Sequence, residues 1–133
     1  MEREIKDSHC GMLPDAALPG MVRVQRGRDA VMAATLAQGL AGGKGAVLIA
    51  GAGHVRRDRG VPALLADRTP EARILSLAFL EVRPGETDPA SYGALFDSAA
   101  VPFDAVWFTP RAEREDPCED LRQHMEKKKE MGN

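Results

Sequence analysis

A run of apolar residues from Ala46 to Ala50 lies between glycines and has no polar position on either face. Such a run is typical of a strand buried on both sides, because helices cover both faces of a parallel sheet. Two further strands are expected at 73–82 and 104–109. Helical patterns alternate with the strands, at 18–40, from 61, from 88 and at 117–131. The alternation predicts an α/β layered fold, with a mostly parallel sheet of about three or more strands flanked by helices.

Length and charge narrow the class of protein. The chain has 133 residues, which is enough for a single domain. Its formal net charge of −2 argues against a generic nucleic-acid binder, because such proteins neutralise phosphates with an excess of Lys and Arg. No apolar run approaches the ~18 residues that a transmembrane segment needs. The charged start at 1–8 has no apolar stretch, so we expect no signal peptide there, and either a cytoplasmic protein or a leader lost upstream.

The sequence Gly51-Ala52-Gly53-His54 directly follows the first expected strand. Ligands of open α/β sheets bind at this end of the strands, and glycine allows the backbone to approach a ligand closely. An imidazole placed there can ligate a metal or haem, or act as a general base. The alternative is a loop histidine whose hydrogen bond holds the turn. A dinucleotide site is disfavoured, since the G-x-G-x-x-G spacing is absent.

The segment VLIAGAGHVRRDRGVP, with SHCGMLP and QRGRDAVMA before it and FDAVWFTP after it, resembles the ChaN-like haem-binding uptake lipoproteins. That family lies in the Tiki and erythromycin-esterase-like superfamily. The resemblance covers about 8–109 and corresponds to the C-terminal half of the family domain, so residues 1–133 are interpreted as a partial domain. A Gly-Glu-x-His motif of the family's other half has no counterpart in this chain, which suggests truncation upstream.

The resemblance implies a haem-binding module of bacterial iron uptake, in the periplasm or lipid-anchored at the cell envelope. Haem would bind in a crevice at the carboxyl end of the strand before His54, with Gly51 and Gly53 beside it. The alternative is the remnant of a metal-dependent hydrolase, which would need a second Gly-x-x-His motif. An enzyme is therefore less favoured than a binding module. A divalent metal is not supported by the ligand count, because one histidine cannot close a metal site.

Polar residues of the first long helix match a QxxRD pattern of the family. Within it, Gln25 is a polar site residue, Arg28 can pair with a haem propionate, and Asp29 can orient His54 through its ring N–H. The alternative is an exposed ion pair on a helix surface. An apolar stripe of the same helix, formed by Val24, Val31 and Leu36, is predicted to be core.

A basic cluster follows the candidate histidine. Arg56, with Arg57 and Arg59, can receive the carboxylates of a porphyrin or of another anionic small molecule, or can simply belong to a solvated loop. Tyr92 can ligate haem iron as a tyrosinate, but it lies outside the motif and is interpreted as a packing or capping residue. His9 can reach the same pocket or make a local hydrogen bond.

Two further expectations concern covalent and quaternary structure. In the cell envelope, Cys10 and Cys118 can form a disulfide, whereas in the cytoplasm they would be free thiols. A short sheet leaves an exposed edge, and exposed edges invite pairing. We therefore expect a homodimer or a larger assembly that completes the sheet.

Overall fold

The computed structural model describes residues 1–114 and 116–131. Helix α1 spans Glu2–Ser8, α2 Leu18–Leu40, α3 Val61–Arg68 and α4 Pro117–Met131. Short 3-10 helices span Asp15–Ala17 and Pro89–Phe96. Strand β1 spans Leu77–Glu81 and β2 spans Ala105–Thr109. The expected α/β fold class is confirmed, since helices alternate with strands that pair in parallel.

Helix α2 forms the base of the site and packs against α3. The contact buries Ala33 of α2 against Val61 and Leu65 of α3. Helix α3 begins directly after Gly60 and has Pro62 in its first turn, where a missing backbone N–H costs nothing. The α2–α3 pair therefore fixes the loop between them relative to the long helix.

The sheet described here has two strands, β1 and β2, in parallel register from Leu77 with Ala105 to Glu81 with Thr109. Its inner face packs Ala78 and Leu80 against the aromatic side chains of Tyr92, Phe96 and Phe103. The outer face carries Phe79 and Trp107, which are 65% and 64% exposed. One face of the sheet is thus core and the other lies open.

The expected first strand differs from the structure. Ala46–Ala50 belongs to no strand of the described sheet, and these residues make no backbone hydrogen bonds within the described residues. Val47 is 88% and Ile49 94% exposed, so the prediction of burial on both faces is wrong here. The segment is apolar, as the pattern shows, but a strand forms only where a neighbouring backbone supplies hydrogen-bond partners.

The other predicted elements agree more closely. The strand expected at 73–82 is shorter, because pairing with β2 covers only Leu77–Glu81. The strand expected at 104–109 is present as β2, and the helix expected at 117–131 is present as α4. The helix expected from 88 is a 3-10 helix, capped by Asp88, whose Oδ1 accepts from Ala90 N at 3.0 Å.

A disulfide joins Cys10, just after α1, to Cys118 in α4. The pairing that the sequence left open is therefore formed, and it closes a loop across 108 positions. It ties the first helix to the last one.

Candidate functional site

The turn that carries His54 is fixed by backbone contacts. His54 N donates to Gly51 O at 2.9 Å, and Val61 N at the start of α3 donates to His54 O at 2.7 Å. Gly60 is required at this crossing, because a Cβ there would lie 2.3 Å from His54 O. The glycine lets the loop fold back on itself and so sets the direction of the imidazole.

The imidazole of His54 faces a buried carboxylate on α2. Its Nδ1 lies 2.5 Å from Oδ1 of Asp29. The Asp29 side chain is 1% exposed and the His54 side chain 19%. A carboxylate oxygen accepts the hydrogen bond, so Nδ1–H is the donor, and in the neutral ring Nε2 keeps its lone pair. The predicted pairing of Asp29 with His54 thus has a matching geometry.

Gln25 lies one turn before Asp29 on α2 and covers the same ring. Its Nε2 is 3.0 Å from Nε2 of His54 and 3.1 Å from Nδ1. With Nδ1 donating to Asp29, the amide N–H donates to the Nε2 lone pair. The side-chain amide therefore blocks the one ring nitrogen that is free to bind a ligand.

An open hollow begins beside the ring and runs along α2. The surface that lines it is almost wholly apolar. The lining residues are Val24, Gly27, Arg28, Val31, Met32, Ala50 and His54. Val24 is 53% and Val31 67% exposed, so the prediction that they belong to the core is wrong for both. Leu36 of the same stripe does pack against the α2–α3 cluster. Periodicity places residues on a helix face, but it does not show whether another element covers that face.

A second, more polar hollow shares Val24 and Arg28 with the first. Glu4, His9, Met21, Gln25, Gly53 and Arg59 also line it. Nδ1 of His9 donates to Ile5 O at 2.7 Å, which is the local hydrogen bond that the sequence left as one alternative. The two hollows adjoin at Val24 and Arg28 on α2, and we call them together the groove, with one apolar part and one charged part.

Arg56 lies inside the protein and not at the rim of the groove. It is 1% exposed, and its guanidinium donates to Phe96 O at 2.8 Å, to both oxygens of Asp58 and to Glu4. The guanidinium holds the pKa of Asp58 below its usual value, mainly through this hydrogen bond. A direct contact of Arg56 with a ligand would require these ion pairs to open.

The other predicted residues lie at different depths. Arg28, Gly51 and Gly53 are exposed along or beside the groove. Arg57 lies on the surface and donates to Asp104 Oδ2 at 2.7 Å. Tyr92 is 2% exposed in the core, where its hydroxyl accepts from Arg83 N at 2.7 Å, so the packing interpretation fits its position.

Sequence reasoning missed the contribution of α1. Glu4 accepts hydrogen bonds from both Arg56 and Arg59, and it lines the charged part of the groove. A charged residue in a short exposed helix gives no sequence signal of such a contact, because the two partners are more than fifty positions away.

Two general features complete the description. Among the side chains that the structure describes, those of 1–114 and 116–127, no three His, Cys, Asp or Glu lie close enough together to hold a metal ion. None of the helices in that part of the chain is sufficiently long and apolar to cross a bilayer.

Comparison with known families gives a match to haem-binding uptake, Tiki superfamily, ChaN, over residues 1–65. The resemblance is thereby confirmed for this stretch, which holds α1, α2, the His54 turn and the start of α3. Neither the curated proteins nor the solved structures gave a significant match.

Proposed function

We propose that this chain, whose residues 1–65 match the ChaN-like haem-binding uptake family, binds haem in the groove along α2. His54 is the proposed iron ligand. One observation carries the proposal: the matched segment presents an imidazole, oriented by a buried carboxylate, at the edge of an apolar hollow. Bound ferric haem would supply an iron that accepts a histidine nitrogen as an axial ligand.

The lining of the groove offers side chains that the apolar ring and the carboxylates of haem would contact. A porphyrin is a flat apolar ring with two carboxylates on one edge. The apolar hollow offers Val24, Val31 and Met32 to the ring, and Arg28 lies where this hollow meets the charged one. A guanidinium can hold a carboxylate with two parallel hydrogen bonds, so Arg28 is the proposed partner of a propionate.

The remaining predicted residues have supporting roles in this proposal. Gly51 and Gly53 are exposed, and no described atom outside the adjacent residues lies within 4 Å of the position that a Cβ would take, so a flat ligand can approach the turn. Asp29 fixes the ring tautomer, and Gln25 must turn aside to free Nε2. The N–H donors of Arg56 are occupied by Phe96 O and Asp58. Arg56 therefore stabilises the loop that follows His54 and does not contact the ligand.

An envelope location is part of the proposal. The Cys10–Cys118 disulfide supports it, because disulfides persist in the bacterial periplasm and are rare in the reducing cytoplasm. Attachment by lipid rests on the family resemblance alone.

The His54–Asp29 pair also favours a second candidate, a hydrolase in which the imidazole acts as a general base. A carboxylate that orients a histidine is the arrangement general-base catalysis uses. In this chain Asp29 of α2 is the acidic partner of His54. The second Gly-x-x-His motif that such a hydrolase needs would have to come from another polypeptide segment.

A haemin titration followed by the Soret band tests the proposal. We expect a shift that saturates near one haem per chain and is lost in His54→Ala. The matched control is His124→Ala, since His124 is exposed on α4 and outside the groove. An unchanged titration in His54→Ala would remove His54 as the ligand. No saturable shift, together with metal-dependent ester or peptide cleavage lost in His54→Ala, would favour the hydrolase.

A further inference from the structure

An apolar slot on the other side of Ala46–Ala50 has no role in the proposed haem site. Ala46–Ala50 and the segment 72–79, which includes the start of β1, both line this slot, and we call them its two walls. Its floor is formed by apolar side chains of α2 and α3, among them Leu36, Leu40, Val61 and Leu65. We call this feature the insertion slot.

Both walls of the insertion slot carry unpaired backbone. Ala46–Ala50 makes no backbone hydrogen bonds within the described residues, and β1 pairs on one side only, with β2. A free strand edge is a template for another strand, because its N–H and C=O groups point outward in a row. A single extended segment placed between the two walls would give hydrogen-bond partners to both.

The side chains of the slot require an apolar occupant. Val47, Ile49 and Leu75 are 88%, 94% and 78% exposed, and Phe79 is 65% exposed. Arg73 is the one ionisable residue that contributes to the lining. Contiguous exposed apolar surface of this kind marks a protein–protein contact, since leaving it in water costs free energy.

We propose that the occupant is a second copy of this chain, which inserts its own Ala46–Ala50 into the slot. That segment is apolar and uncharged, lies outside any helix and is flanked by Gly45 and Gly51, so it has the chemistry that the slot selects. Val47 and Ile49 line the slot of their own copy and would also enter the slot of the partner copy. The surface is therefore self-complementary. A self-complementary surface closes as a symmetric dimer.

The proposed exchange joins the two small sheets into a continuous one. Each copy contributes β2, β1 and its Ala46–Ala50, and the two inserted segments lie side by side at the centre. Ala50 lines both the insertion slot and the hollow beside His54. Dimerisation would therefore order the segment that leads into the His54 turn, although the dimer itself does not depend on haem binding.

Light scattering on the purified full chain tests the proposal across a dilution series, without haem. We expect a mass of twice the 14.4 kDa of one chain, which falls to the single-chain value in Val47→Asp. The matched control is Val82→Asp, a valine that is 43% exposed and lies outside the slot. Circular dichroism shows that each variant is folded. Hydrogen exchange should show amides 46–50 protected in the dimer and unprotected in the Val47→Asp monomer.

A wild-type chain that is a monomer at every concentration would overturn the second copy as occupant and leave the slot to another polypeptide. A dimer that survives Val47→Asp, or one in which amides 46–50 exchange freely, would place the interface elsewhere and also overturn the proposal. If Val47→Asp unfolds the chain, Val47→Ser together with the wild-type exchange data decides the question. The haemin titration with His54→Ala is a separate readout, so either proposal can fail without the other.

Discussion

Asp29 and His54 are 25 positions apart, yet Oδ1 of Asp29 lies 2.5 Å from Nδ1 of His54. The contact joins the middle of α2 to the glycine turn. The second carboxylate oxygen, Oδ2, is buried and has no hydrogen-bond partner among the described residues. A buried carboxylate with one partner is costly unless that partner is well placed, so this pair holds the ring in one orientation.

Asp29→Asn should weaken haemin binding by about 10–100-fold, the usual effect of losing the group that orients a ligating histidine. The neutral amide no longer requires a proton on Nδ1, so the imidazole loses its fixed tautomer. Soret titration measures the affinity, and nitrogen NMR of the His54 ring reports the tautomer. Asp67→Asn, on the exposed side of α3, is the control and should behave as wild type.

Gln25→Ala should strengthen haemin binding by about fivefold, because one hydrogen bond of about 1 kcal/mol no longer competes for Nε2 of His54. The gain should appear mainly in the association rate measured by stopped-flow absorbance. Gln38→Ala, on the exposed end of α2, is the control for helix propensity. A weaker association in Gln25→Ala would show that the amide supports the ligand instead of blocking it.

Arg56→Gln should lower the free energy of unfolding by about 1–3 kcal/mol, the cost of leaving a buried hydrogen-bond acceptor without its donor. The change leaves Glu4 and Asp58 without their buried partner and frees the carbonyl of Phe96. Urea unfolding provides the measurement. Arg57→Gln, which opens a half-exposed pair with Asp104, should cost much less.

Replacing both Cys10 and Cys118 by Ser should lower the free energy of unfolding by about 4 kcal/mol, because the disulfide closes a long loop in the unfolded chain. Urea unfolding with and without a reductant checks the value. Reduction should destabilise the wild type and leave the double variant unchanged. Equal stability of oxidised and reduced wild type would contradict the expectation.

Acid should remove a contribution that Asp104 makes to stability. Hydrogen bonds from Ser76 N and then from Arg57 lower its pKa below the ordinary value of 3.8. Because the pKa of Asp104 is lower in the folded chain than in the unfolded chain, the ionised carboxylate stabilises the fold above pH 3.8. This stabilisation is lost as the pH falls through the pKa of the folded state. At pH 7, Asp104→Asn should lower the Tm by about 4 °C. Thermal scans at decreasing pH should show that difference vanish, and a constant difference would exclude the charge as its cause.

Part of the candidate site could be predicted from local sequence, because the glycine turn around His54 depends on a few neighbouring positions. Gln25, Arg28 and Asp29 were singled out by the family resemblance. The position of Arg56 could not be predicted. Its burial depends on Glu4 and Phe96, which come from opposite sides of it in the sequence.

The sequence by itself determined helix α2, strand β2, helix α4, the cap at Asp88 and the glycine turn that carries His54. Propensity and periodicity act over one or two turns of chain, so these features are encoded locally. Only the tertiary structure decided which apolar faces are covered. Val31 lines an open hollow and Ile49 an open slot, although both match a core pattern, because burial requires a second element at the right place.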